Sequence, residues 1–147
     1  MPTVYTIGYQ KKPLSIFINQ LRDVEVDAVI DVRLRNTSHL AGYTKKDTLE
    51  FLLTEGFGIA YEHHPELAPT DELFDTYRCG NLTWPLYEAA IGALLKSRRA
   101  EGLARDLYNR HNRPCLLCSE PTADQCHRSI ITAYWSEHIP NLTVAHL

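Results

Sequence analysis

The chain contains no run approaching the roughly 20 apolar residues that a membrane-spanning helix needs, so no helical span of a bilayer is expected. An excess of positive charge is missing too. The 15 Lys and Arg residues face 18 Asp and Glu, giving a net charge of -3 and a pI near 6.1, which supplies no global field for nucleic acid. Binding of that kind needs a local patch. No signal-peptide pattern precedes the first strand-like segment, and there is no internal repeat, low-complexity tract or linker. These absences lead to the expectation of one domain over residues 1–147, cytoplasmic and without a membrane partner. Its four cysteines, Cys79, Cys115, Cys118 and Cys126, are then expected to be reduced thiols rather than a disulfide framework. What is present is ordinary for a globular chain: 44% apolar and 22% charged residues, and enough length to bury a core without covalent staples.

Apolar periodicity divides the chain into alternating strands and helices. Thr3 to Gly8 reads as a first strand, and Pro13 opens a helix whose core face is Leu14, Phe17, Ile18 and Leu21. Asp27 to Val32 is a second strand, apolar enough for burial on both faces as in a parallel sheet. A loop from Arg33 to Tyr43 leads to a helix over Lys46 to Thr54 and a short strand over Gly58 to Glu62. Residues Leu67 to Pro85 read as irregular, with a turn or two of helix around Asp71 to Tyr77. Two helices, Leu86 to Ser97 and Ala100 to Asn109, precede a strand over Cys115 to Cys118, a last helix from Asp124 or Gln125 to His138, and a strand over Leu142 to His146. The pattern predicts an α/β, Rossmann-like three-layer fold with a mainly parallel sheet of about five strands and helices on both faces.

In such a sheet the ligand crevice lies beyond the carboxyl ends of the strands, where helix N-termini converge. Those ends hold Tyr9, Gln10, Asp31, Arg33, Glu62 to His64, Cys118 to Glu120 and His146. Asp31 and Arg33 alternate around Val32 and so share a face, either as an ion pair that aims Arg33 at an anion or as a cap on a buried sheet end. His127 shares a helix face with Ile130, Ile131 and Tyr134 and belongs at the crevice edge, while Arg128 adds fixed positive charge to the free amides of the helix start. The plainer alternative is that Arg128 pairs with Glu120 or Asp31 and that His127 donates to a carbonyl. Lys45 and Lys46 precede a helix, where lysines are usually solvated.

Cys115, Cys118, Cys126 and His127 have the ligand types of a zinc site, but residues three apart on a strand point to opposite faces, so Cys115 and Cys118 cannot chelate one ion together. No metal site is expected. The spacing from Cys118 to Arg128 also differs from the tight cysteine-loop-arginine cradle of phosphatases and rhodaneses. Cys126, in the first helical turn, is the one thiol placed for chemistry.

The order of motifs TIGY at Thr6–Tyr9, DVR at Asp31–Arg33, Ser38 with Gly42–Lys46, Tyr61 with Pro65–Leu67, LLCSEPTADQCHR at Leu116–Arg128 and a terminal His146 resembles the DUF488 family along nearly the whole chain. The resemblance implies a Rossmann-like fold and a polar cluster of Arg33, Ser38, Lys45, Glu120, Cys126, His127 and Arg128, and no particular reaction. Many relatives carry His and Ser after TIG where this chain has Tyr9 and Gln10, so no role is assigned to that pair. Residues and resemblance together lead to the expectation of an enzyme or enzyme-like domain that binds a phosphate-bearing ligand, a nucleotide or nucleic acid, at the strand ends. Glu120, His127 and Cys126 are the candidate catalytic groups, with Asp31, Arg33, Ser38, Lys45 and Arg128 as candidate ligand contacts. The alternative is a non-catalytic module that binds nucleic acid or protein through Phe74, Tyr77, Trp84 and Tyr87. The acidic pI favours a small phosphate ligand over a long polyanion.

Overall fold

The structure is a computed structural model that describes residues 2–36, 39–119 and 126–147. Five strands, β1 (Thr3–Gly8), β2 (Ala28–Asp31), β3 (Ala60–His63), β4 (Pro114–Cys118) and β5 (Thr143–His146), pair in parallel in the order β3-β2-β4-β1-β5. The fourth strand therefore enters the middle of the sheet. Around it are α1 (Leu14–Asp23), α2 (Lys46–Phe51), α3 (Asp71–Arg78), α4 (Trp84–Ser97), α5 (Ala100–Arg110) and α6 (His127–His138). The fold is three-layer α/β and Rossmann-like.

Crossovers between parallel strands keep one hand, so connections running toward β3 and those running toward β5 must carry their helices on opposite faces. The core divides accordingly. Phe17, Ile18 and Leu21 of α1 and Leu49 and Leu53 from the α2 segment pack with Tyr5, Ile7, Val29, Cys115 and Leu117 on one face. Ile91 and Leu95 of α4, Ala104 and Leu107 of α5, and Ile131 and Trp135 of α6 pack with Val4, Ile30, Val32, Leu116 and Cys118 on the other. All four residues of β2 are buried, as a strand covered on both faces must be. Leu14, the first residue of the α1 stripe, lies at the solvent end and is 37% exposed.

Three features, the start of the third strand, the end of the second helix and the loop before it, differ from the sequence expectations. Gly58 has φ +66°, a left-handed conformation that belongs to a turn, and so the third strand begins two residues later, at Ala60. The helix at Lys46 widens into a π turn over Leu52–Gly56, and a 3-10 segment over His39–Thr44 interrupts the preceding loop. The helical turns expected around Asp71 to Tyr77 are present as α3, started by the Thr70 side chain, which accepts from the Leu73 amide at 3.1 Å, with Asp71 and Glu72 in the first turn. No helix among the described residues is long and apolar enough to cross a membrane.

Candidate functional site

The helix after β1 and the helix after β4 leave their adjacent strands toward opposite faces, which parts the chain at the carboxyl edge of the sheet. A cleft of about 840 Å³ lies there. Its wall is drawn from the loop after β1 (Tyr9 to Lys12), the loop after β2 (Arg33 to Arg35), Tyr43, the α3 face (Phe74, Tyr77, Arg78), Tyr87 of α4, and Cys118, Ser119, Cys126 and His127. Among the described lining residues there are five cationic side chains and no carboxylate.

The first loop is held firmly. Gln10 donates its amide to the Ser119 carbonyl at 3.0 Å, Lys12 donates to the Tyr9 carbonyl at 3.1 Å, and the Tyr43 hydroxyl donates to the Lys12 carbonyl at 3.0 Å. Lys11 adopts φ 61°, a left-handed conformation uncommon for a residue with a long side chain. The loop thus turns both lysines toward the cleft. Lys12 Nζ is buried with no hydrogen-bond partner among the described residues. Burial, followed by the positive charge of Arg128, lowers the Lys12 pKa against a smaller opposing effect of Cys115.

Asp31 and Arg33 form the ion pair that their alternation allows. Arg33 donates Nε to Asp31 Oδ1 and Nη2 to Oδ2, both at 2.8 Å, and Nη2 also donates to the Thr44 carbonyl at 2.7 Å. Asp31 further accepts from the Arg33 amide, from Asn36 Nδ2 at 3.2 Å and from the Tyr61 hydroxyl. Burial opposes its charge, but Arg33 and then Tyr61 outweigh burial and hold the carboxyl below its usual range. For Arg33 burial is likewise overcome, by Asp31 and then Tyr9, and its pKa is raised. Asp31 has no exposed surface, whereas Arg33 reaches the cleft with its guanidinium carbon 5.3 Å from the Tyr9 ring centroid. Asp31 therefore positions Arg33.

The opposite wall is the β4–α6 junction. His127 donates Nε2–H to the Val32 carbonyl at 2.7 Å, and its Nδ1 lies 3.7 Å from Cys118 Sγ. Cys126 is 2% exposed, and its hydrogen bond with Cys118 together with burial pushes its thiol pKa up, although the Arg128 amide faces the sulfur and favours the thiolate. Burial works against a charged His127, but the Cys118 sulfur and the Val32 carbonyl outweigh it and raise the pKa. Arg128 is fully buried behind this wall and is not a lining residue.

Of the residues singled out in the sequence, Arg33, Cys126 and His127 meet at the cleft, with Asp31 and Arg128 in support. Lys45 lies outside the lining, and Ser38 and Glu120 lie outside the described residues. Phe74, Tyr77 and Tyr87 come to the cleft; Trp84 packs behind Tyr77 and Tyr87 at 5.9 Å from each. Lys11, Lys12, Arg35 and Arg78 carry no motif of their own in the sequence, and Tyr43 stands only within the Gly42–Lys46 motif. The two lysines directly follow the strand end Tyr9–Gln10, and that adjacency was the available signal for them. Arg35 reaches the rim through Asp71 at 2.7 Å and the Phe74 ring, contacts between segments far apart in sequence.

A parallel α/β sheet with a cationic, aromatic cleft at its switch point defines the class of the molecule. Within that class the chain belongs to the family described as domain of unknown function DUF488, whose model matches residues 13–135. No curated protein and no solved structure matches it.

Proposed function

We propose that the cleft binds a phosphate-bearing ligand, a nucleotide in the first instance, and that the protein is an enzyme or enzyme-like domain acting on it. Lys12 carries the reading. The Lys12 ammonium has no described hydrogen-bond partner and meets the positive charge of Arg128, and an anion entering the cleft offsets both disadvantages. Aromatic rings line the same cleft, Tyr9, Phe74 and Tyr77 among them, and such a lining suits a nucleotide better than a bare anion. In this reading Lys12 and Arg33, backed by Arg128, take the phosphate. Glu120, Cys126 and His127 supply the chemistry-bearing side.

The test is calorimetric titration of the full chain with adenosine monophosphate and, in parallel, adenosine. The nucleotide is expected to bind at least tenfold tighter than the nucleoside. Lys12→Met should weaken nucleotide binding at least tenfold while leaving the melting temperature equal or higher, because it removes an uncompensated buried charge. Equal affinity for nucleotide and nucleoside, or a parallel loss of binding and stability in Lys12→Met, overturns the proposal.

A second reading, a non-catalytic module for nucleic acid or protein, is favoured by the exposed rim. Arg35 and Arg78 both sit over the Phe74 ring, with guanidinium carbons 5.6 and 5.5 Å from its centroid. A short single-stranded oligonucleotide that binds more tightly than the mononucleotide, with affinity falling steeply between 50 and 200 mM salt, would select this reading over the first; these salt levels follow the roughly thousandfold-or-greater losses typical of multiple phosphate contacts.

A further inference from the structure

Cys118 ends β4, Cys126 immediately precedes α6, and His127 opens that helix, so the fold brings together three ligand-bearing residues drawn from two elements. All three are buried, all three line the cleft, and Sγ of Cys118, Sγ of Cys126 and a ring nitrogen of His127 lie within 4.8 Å of one another. We propose that this trio is a zinc site with three protein ligands and a fourth position open to the cleft.

The geometry is close to what the ion requires. With zinc–sulfur bonds of about 2.3 Å and zinc–nitrogen bonds of about 2.0–2.1 Å, tetrahedral coordination sets ligand atoms about 3.5–3.8 Å apart. Cys118 Sγ and His127 Nδ1 already stand at 3.7 Å. The widest separation, at most 4.8 Å, needs to close by about 1 Å, within reach of a thiol rotation.

The histidine is the stronger argument. The Val32 carbonyl only accepts, so the 2.7 Å contact fixes the proton on Nε2 and turns Nδ1 toward the sulfurs. A metal-bound imidazole takes the same form, with its distal N–H given to a carbonyl that fixes tautomer and ring plane. A disulfide between Cys118 and Cys126 would have no use for this orientation. The Arg128 amide facing the Cys126 sulfur offers a further contact to a thiolate.

Ligand chemistry selects the ion. Two thiolates and one imidazole favour a soft or borderline metal and disfavour magnesium or calcium. Zinc(II) with two thiolates and a neutral imidazole carries no net charge, which suits a buried location. Three protein ligands with an open position are characteristic of reactive rather than purely structural zinc sites. The fourth ligand is then a water or an oxygen of a molecule in the cleft. Separation of Cys115 from Cys118 on opposite faces of β4 does not bear on this trio, because Cys115 belongs to the other core.

The test needs no substrate and is independent of nucleotide binding. Full-length protein is reduced, stripped with a chelator and titrated with cobalt(II) chloride as a spectroscopic probe. One equivalent is expected to produce a thiolate-to-cobalt charge-transfer band and tetrahedral d–d bands, all removed by one equivalent of zinc. Losing a supporting contact to a metal ligand costs about 10–100-fold in affinity, so Cys118→Ser and Cys126→Ser should each cost at least about 100-fold. Cys79→Ser and Cys115→Ala, outside the trio, should change it less than about threefold, and circular dichroism checks that each variant is folded. No charge-transfer band at millimolar cobalt, or a band that survives in both folded variants Cys118→Ser and Cys126→Ser, overturns the proposal. So does a chain that takes up no cobalt yet forms a Cys118–Cys126 disulfide under mild oxidation.

Discussion

Tyr77 of α3 lies flat on Tyr87 of α4, with ring centroids 4.1 Å apart and ring planes 3° from parallel. No residue of α3 is fully buried, so this stack and the adjoining Trp84 are a main attachment of α3 to the helical layer. Tyr77→Ala is expected to lower stability by about 1–2 kcal/mol and to speed amide exchange across residues 71–78 more than elsewhere. Tyr87, 3% exposed, should cost more, about 3–5 kcal/mol as Tyr87→Ala. Urea denaturation with hydrogen exchange measures both, and uniform exchange across the chain in Tyr77→Ala would remove the attachment role.

Asp31→Ala leaves the buried Arg33 guanidinium without its carboxylate, and an uncompensated charge of that kind costs about 3–5 kcal/mol. Lys45→Ala, outside the cleft, should change stability by no more than about 0.5 kcal/mol. A chemical denaturation series on the two variants separates them. Similar midpoints would mean that the Asp31 pair is not structural.

Lys11 combines a left-handed backbone with a cationic side chain at the cleft. Lys11→Gly relieves the conformation but adds chain entropy to the unfolded state, so stability should change by no more than about 1 kcal/mol and in the favourable direction. Nucleotide affinity should fall in the same variant. A variant that gains stability and keeps full affinity would assign the strain no role in binding.

Glu62 accepts from Arg110 at 2.7 Å, from His64 at 2.9 Å and from His111. Burial raises its pKa, but these donors, Arg110 first, outweigh burial and bring it to about 2 from 4.5. Because the folded value lies below the unfolded one, the stabilisation is complete above pH 4.5 and fades as pH falls toward 2. The group is 23% exposed, so solvent screening reduces the contribution to about 1–2 kcal/mol. Glu62→Gln should flatten the stability profile between those pH values. An unchanged slope would place acid sensitivity elsewhere, with Asp31 the next group of the same sign.

Strand and helix identity was legible because burial follows periodicity: Leu116 and Leu117 face opposite cores, and Phe17, Ile18 and Leu21 share one. Legibility of the site was uneven. Arg33, Cys126 and His127 sit at strand ends or helix starts, positions that topology alone aims at the crevice. Arg78 and Tyr43 reach it through α3 packing and a hydroxyl contact to the Lys12 carbonyl, neither of which leaves a local pattern in sequence. Gly58 fits a strand in sequence, because the left-handed angle that puts it in the turn beyond the π segment is revealed only by the path of the chain.

The place of β4 between β2 and β1 has a kinetic consequence. Among the described residues the two halves of the sheet, β2 with β3 and β1 with β5, are joined only through the insertion of residues 114–118. Both faces of the cleft hang on that single insertion, which joins residues separated by about a hundred positions in sequence and brings a long loop-closure search with it. The recognition surface therefore depends on the completed sheet: without β4 between them, the two walls of the cleft are not held together.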